Sequence, residues 1–216
     1  MIKAVIFDMD GVMIDSEMAY LEMGLAFART KNPDVRLEQL FGMVGASRED
    51  AWGYMARAID NGQTWEELKQ EFGSAVNAYA SMDYQAIYRP GVTVVLQRLT
   101  EAGYKIALAS STQMEIIRRV LMENEIEDYF DVVVSGRQFK RSKPDPEIYH
   151  YTAGQLGVRE EECFVIEDST FGIKAASRAG MKIAAVVDDR FGFDQSGADY
   201  LIREIEEVLP LILGDS

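Results

Sequence analysis

Five short apolar runs punctuate the chain: "KAVIF" at 3–7, "YKIALAS" at 104–110, "DVVVS" at 131–135, "CFVIE" at 163–167 and "KIAAVV" at 182–187. They are continuous rather than alternating, and they are rich in β-branched residues. That is how strands read when both faces of a sheet are covered. Patterns of helical period separate them. In "TQMEIIRRVLMENEIEDYF", for example, Met114, Ile116, Ile117, Val120 and Leu121 make one apolar face, and Thr112 and Glu115 have the spacing of a capping box. Strands alternating with crossover helices predict the doubly wound α/β class, a parallel sheet covered on both faces. The tail "EIEEVLPLILGDS" reads as a closing helix.

The alternation fails from about Ser16 to Ile87. There the pattern is helical throughout: "EMAYLEMGLAFART", then "SREDAWGYMARAID" with Ser47 as N-cap, then "TWEELKQEFGSAVNAYA" with Thr64 and Glu67 as a capping box. The chain is therefore expected to form an α/β core from 1–15 and 88–216, with an all-helical unit at 16–87 inserted after the first strand. Pro90 and Gly91 mark the turn where the core resumes. Tyr20, Met23, Trp52, Met55, Trp65 and Phe72 are assigned to a small helical core.

Charge changes the picture. With 36 acidic against 22 basic residues the net charge is -14, which disfavours wrapping nucleic acid or an anionic membrane. Small molecules, metal ions and protein partners remain. The N-terminal apolar run meets Asp8 too soon for a signal peptide, and no run approaches the roughly 20 residues of a membrane helix. The lone Cys163 lies in an apolar strand and reads as a small buried hydrophobe in a reducing, cytoplasmic setting.

In such a sheet, ligands bind beyond the carboxyl ends of the strands. The chain's unusual polar residues fall there: Asp8 and Asp10 after the first strand, Ser110, Ser111 and Thr112 after the second, Glu167 and Asp168 after the fourth, with Lys143 in the loop "RSKPDPEIY". Taken singly, each has an ordinary reading as a helix cap, a turn or a solvated loop. Together, four carboxylates and one lysine on one rim leave an excess of negative charge that a divalent cation such as Mg2+ would resolve. The only histidine, His150, lies on a helix and is left outside the site.

"DMDGV", the Ser closing "IALASST", "SKPDP" and "IEDSTFGI" occur in the order of the four motifs of the haloacid dehalogenase superfamily, which the whole core thus resembles. The helical insertion sits where that family carries a C1-type cap, and the chain is most similar to the β-phosphoglucomutase-like phosphatases and mutases. The resemblance implies Asp8 as a nucleophile that forms an aspartyl-phosphate and Asp10 as general acid and base. It implies Met9, Ser110, Ser111 and Thr112 as the phosphoryl cradle, helped by the N-terminus of the helix at Thr112, and Lys143 as the neutralising cation. Mg2+ would be held by Asp8, the Asp10 carbonyl and Asp168, with Glu167 ligating it or orienting a bound water.

An acid at position 10 suits alcohol leaving groups, which need a proton. It argues against a dehalogenase, and retention of all four motifs argues against a non-catalytic phosphate-binding protein. "VGASRED" resembles the mutase cap segment, so Arg48 would grip a substrate phosphate; the other reading is an exposed residue paired with Glu49 or Asp50. Tyr20 stands where the mutases have histidine, and Lys69 is out of register with their cap lysine. The expected function is a Mg2+-dependent phosphatase of a small sugar or polyol phosphate, more often monomeric than not, with β-phosphoglucomutase as the alternative.

Overall fold

A computed structural model describes residues 1–44, 46, 48–75 and 82–214; the side chains of Arg48 and Ala75 are not among those described. The described residues form two compact units: Met1–Asp15 with Tyr84–Asp188 and Phe193–Ser216, and Ser16–Asp83 with Asp189–Gly192.

The first unit is built on a parallel sheet of β1 (Ala4–Phe7), β2 (Lys105–Ser110), β3 (Val132–Ser135), β4 (Cys163–Glu167), β5 (Lys182–Val186) and β6 (Tyr200–Ile202), in the order β3-β2-β1-β4-β5-β6. The order reverses at β1, whose Ala4 pairs with Lys105 on one side and Cys163 on the other. One face packs Ala4, Ile6, Ala107, Ala109, Cys163 and Val165 into a core. The alternate set, Val5, Phe7, Ile106, Leu108, Phe164 and Ile166, is buried just as fully. Burial of both faces is why the strands read as unbroken apolar runs. β6 escapes a sequence reading because it has three residues on the sheet edge, with Leu201 62% exposed.

The second unit carries α1 (Ser16–Arg29), a 3-10 turn at Leu37–Met43, α2 (Arg48–Ile59) and α3 (Trp65–Ala75). Its core is Leu21, Phe27, Leu40, Met55, Ile59 and Leu68, with Trp52 and Phe72 packed against it; Tyr20, Met23 and Trp65 are half-buried. The Thr64–Glu67 capping box forms as expected: Glu67 N donates to Thr64 Oγ1 at 3.3 Å and Thr64 N donates to Glu67 Oε2 at 2.8 Å. The Ser47 cap lies outside the described residues, as does the continuation of the third helical segment over 76–80. Tyr84–Ile87, expected with the helices, belong to the first unit. There Gln85 Nε2 donates to the Glu123 carbonyl and Asp15 N to the Ile87 carbonyl.

The core helices follow their strands: α4 (Gly91–Glu101), α5 (Met114–Glu123), α6 (Glu147–Leu156), α7 (Thr170–Arg178) and α8 (Val208–Leu213). Pro90 and Gly91 form the expected turn, closed by Val92 N donating to the Arg89 carbonyl at 3.0 Å, and the turn runs directly into α4. One local expectation needs correction. The Thr112–Glu115 capping box does not form, because α5 starts at Met114 with Gln113 at its N-cap and the Thr112 hydroxyl is engaged elsewhere.

Candidate active site

β1 lies between β2 and β4, so the ends of these three strands meet at the point where strand order reverses. Asp8 N donates to the Ile166 carbonyl at 2.9 Å, which extends the ladder one residue and leaves the Asp8 side chain at the rim. The chain then turns sharply, with Gly11 N donating to the Ile14 carbonyl. Gly11 has φ +76°, and a Cβ there would overlap the Asp168 carboxylate. Glycine thus provides both the turn and the space for the acid from β4.

Lys143 reaches this point from the loop before α6. Its Nζ donates to Asp8 Oδ1 at 2.5 Å, Glu167 Oε1 at 2.7 Å and the Ala109 carbonyl at 3.1 Å, and lies 5.1 Å from the centre of the Tyr149 ring. The Tyr149 hydroxyl also donates to Glu167 Oε1, at 3.0 Å. Glu167 Oε2 accepts from Asp168 N, Ser169 N and Ser169 Oγ at 2.9, 3.1 and 3.1 Å. Both Glu167 oxygens are therefore saturated. The same carboxylate lies against the first turn of α7, where a Cβ on Gly172 would overlap it.

Two buried carboxylates share one ammonium, and their environments separate them. Burial by itself disfavours charge on Glu167. Lys143 and the N–H groups of Asp168 and Ser169 outweigh it and hold this acid below its ordinary pKa. Asp8 has one such bond; burial, against the pull of Lys143 and reinforced by repulsion from Glu167 and Asp10, pushes it up to about 7. Burial would lower the Lys143 pKa, but Asp8 and Glu167 more than offset this, so Lys143 stays charged. Tyr149, buried beside Glu167, is raised well above its usual range and stays a donor.

Asp10 points into a different environment. Thr112 Oγ1 donates to its Oδ2 at 2.8 Å, and Ser110 Oγ lies 3.5 Å from the same oxygen. Ser110 Oγ accepts from Thr112 N at 3.1 Å, closing the loop after β2. Ser111, next to them, is exposed, whereas Met9 is fully buried. The structure thus brings Asp8, Asp10, Ser110, Thr112, Lys143, Glu167 and Asp168 to one rim. Arg48 opens α2 and its side chain lies outside those described. His150 is exposed and paired with Glu160.

Carboxylate oxygens of Asp8, Glu167 and Asp168 lie within 4.8 Å of one another, a hard oxygen donor set suited to Mg2+. Three acids against one lysine leave a charge that such a cation would offset. Glu167 braces Lys143 and the Asp168 loop through its hydrogen bonds, and it stands with Asp8 and Asp168 in the set of acids that could hold the ion. Tyr149, Gly11, Ser169 and Gly172 were not singled out from sequence. The glycines beside "DMD" and "EDSTF" were the available signal, since close acids leave no room for a Cβ.

The family model for haloacid dehalogenase-like hydrolases matches residues 5–186, from β1 to the end of β5. The chain belongs to this family. Among its relatives, a phosphorylated carbohydrates phosphatase of Thermotoga maritima is 33% identical over 97% of this chain and 98% of its own. Hexitol phosphatase B of Escherichia coli K12 is 30% identical over 86% of this chain and 83% of its own. A solved Thermotoga maritima structure, described as a candidate β-phosphoglucomutase, superposes with a TM-score of 0.79 at 30% identity, covering 98% of this chain and 99% of that one. The sheet order matches that of the haloacid dehalogenase-like hydrolase family. No described helix is long and apolar enough to cross a membrane.

Proposed function

We propose that this enzyme hydrolyses a small phosphorylated metabolite, a sugar or polyol phosphate, through an aspartyl-phosphate intermediate. The observation that supports the reading is that two acids at one strand end have different partners. Asp8 is gripped by a charged lysine, and Asp10 is steered by Thr112. Asp8 Oδ2, the oxygen Lys143 does not hold, attacks phosphorus, and the bond to the ester oxygen breaks. Asp10 gives its proton to the departing alkoxide. In the second half Asp10 takes a proton from water as that water attacks phosphorus, and the bond to Asp8 breaks to release inorganic phosphate. Lys143 holds Asp8 in place and offsets charge on the phosphoryl group, while Ser110 Oγ, Thr112 and the Ser111 N–H cradle its oxygens.

Mg2+, held by the Asp8 and Asp168 side chains with the Asp10 carbonyl, would supply further charge neutralisation. The phosphatase names of two relatives support the substrate class, and an unpaired, buried Cys163 fits a cytoplasmic setting. The likeness to a candidate β-phosphoglucomutase keeps one second reading, transfer to a sugar hydroxyl instead of water. Phosphate release from a panel of hexose, pentose and hexitol phosphates with Mg2+, and its loss with EDTA, tests the proposal. Glucose 6-phosphate formed from β-glucose 1-phosphate without free phosphate would overturn it in favour of the mutase.

A further inference from the structure

The segment Gly136–Lys143, "GRQFKRSK", places four of the chain's 22 basic residues within eight positions of a strongly acidic protein. Two of the four have local partners. Lys143 is held by Asp8 and Glu167, and Arg141 pairs with Asp145 at 3.0 Å. Arg137 and Lys140 are exposed and make no ion pair with a described carboxylate; both line a recess of about 560 Å3 within the first unit. Phe139 and Phe171 share the recess, and Phe171 is 48% exposed. Ser111 and Lys143, from the phosphoryl cradle, line it too.

The basic loop is fixed to the cradle through its backbone. Ser135 Oγ donates to the Thr112 carbonyl at 2.6 Å and accepts from Arg137 N at 3.2 Å. A Cβ on Gly136 would sit 3.3 Å from Ser111 Cα, so the two loops pack backbone to backbone. A group held at Ser111 and Lys143 therefore has two uncommitted cations and two aromatic faces in the same cavity. Its volume lies in the range of small-ligand sites, and cations in a recess focus their field more than cations on an open surface.

We propose that this recess is a subsite for a second anionic group on the leaving part of the substrate. Given the phosphatase reading on which this rests, the preferred esters are sugar-acid phosphates or sugar bisphosphates rather than esters with a neutral tail. Arg137 offers the paired N–H geometry that carboxylate and phosphate both accept, and Phe171 offers an apolar face to the C–H side of a sugar.

Steady-state phosphate release with Mg2+ would compare gluconate 6-phosphate, glucose 1,6-bisphosphate and sorbitol 6-phosphate, for the native enzyme and for Arg137→Gln/Lys140→Gln. The native enzyme should favour at least one charged tail by about tenfold in kcat/KM, and the double variant should lose most of that preference through KM. Preference for gluconate 6-phosphate alone assigns a carboxylate, and for glucose 1,6-bisphosphate alone a phosphate. A flat native panel, or an equal loss on all three esters, overturns the subsite while leaving the phosphatase standing. If no ester is hydrolysed, the phosphatase reading fails, and calorimetric binding of gluconate 6-phosphate against sorbitol 6-phosphate decides the subsite by itself. Tighter binding of the charged ligand that disappears in the double variant supports it, and equal affinities overturn it.

Discussion

Gly172→Ala sets two effects against each other. In a helix, exchanging glycine for alanine ordinarily stabilises by up to about 1 kcal/mol. Here the new methyl would lie closer than 3.0 Å to Oε1, Oε2 and Cδ of Glu167. That carboxylate cannot swing aside freely, because it is fully buried and accepts from Lys143, Tyr149, Asp168 and Ser169. Overpacking costs about 1–3 kcal/mol, and each charge-assisted hydrogen bond given up costs about 1.5–3 kcal/mol. Relief by movement of Glu167 must sacrifice at least one such bond, so the net effect is a loss of about 2–5 kcal/mol after the helical gain. For a chain of this size that lowers the melting temperature by roughly 5–15 °C. Far-UV circular dichroism follows the whole chain, whereas both tryptophans, Trp52 and Trp65, lie in the helical unit. A dichroism midpoint at or above that of the native protein would show that Glu167 is not locked as described.

Other outcomes follow from the same geometry. Asp8→Asn should abolish turnover and labelled phosphoenzyme, and Asp10→Asn should slow turnover by about 10²–10⁴-fold with the dichroism unchanged; near-native activity in Asp8→Asn would remove it as nucleophile. Lys143→Met strands two buried carboxylates, so it should cost about 3–5 kcal/mol in EDTA, with part regained on adding Mg2+; urea unfolding reads both. Burial pushes the Cys163 thiol up to about 12, so a disulfide reagent at pH 8 should label it only after unfolding, and stoichiometric labelling of folded protein would contradict its placement. Arg159 and Lys3 hold Glu162 down to about 2 against an ordinary 4.5. The stability this contributes is complete above 4.5 and is lost as pH falls toward 2. Glu162→Gln should therefore lose less stability than the native protein between pH 5 and 3, and parallel curves would sink the assignment.

Much of this was legible in the chain because burial of both sheet faces writes strands as plain apolar runs, and because ligands gather where strand order reverses. Asp8, Ser110, Glu167 and Asp168 could be placed from those two facts. Local rules failed where tertiary contacts competed. Thr112 has perfect capping-box spacing, yet its hydroxyl goes to Asp10, a residue far away in sequence. Tyr149 was invisible for a related reason: a tyrosine on an apolar helical face reads as packing until the partner of its hydroxyl is known. β6 carries too few residues for any periodicity to register.

The position of β1 in the sheet has a consequence for the ribosome. Ala4 pairs with Lys105 and Cys163, so the strand that carries Asp8 is synthesised about 100 and about 160 residues ahead of its two neighbours. At about 5–20 residues per second, an apolar segment waits some 8–30 seconds for its second partner. Helices α1, α2 and α3 come from one stretch of chain and can form during that interval, with Asp189–Gly192 joining their unit only later. No nascent chain shorter than 168 residues contains Asp168, so none can assemble the rim of acids. The active site cannot exist until β4 has been made, and the waiting strand is where a chaperone would be most useful.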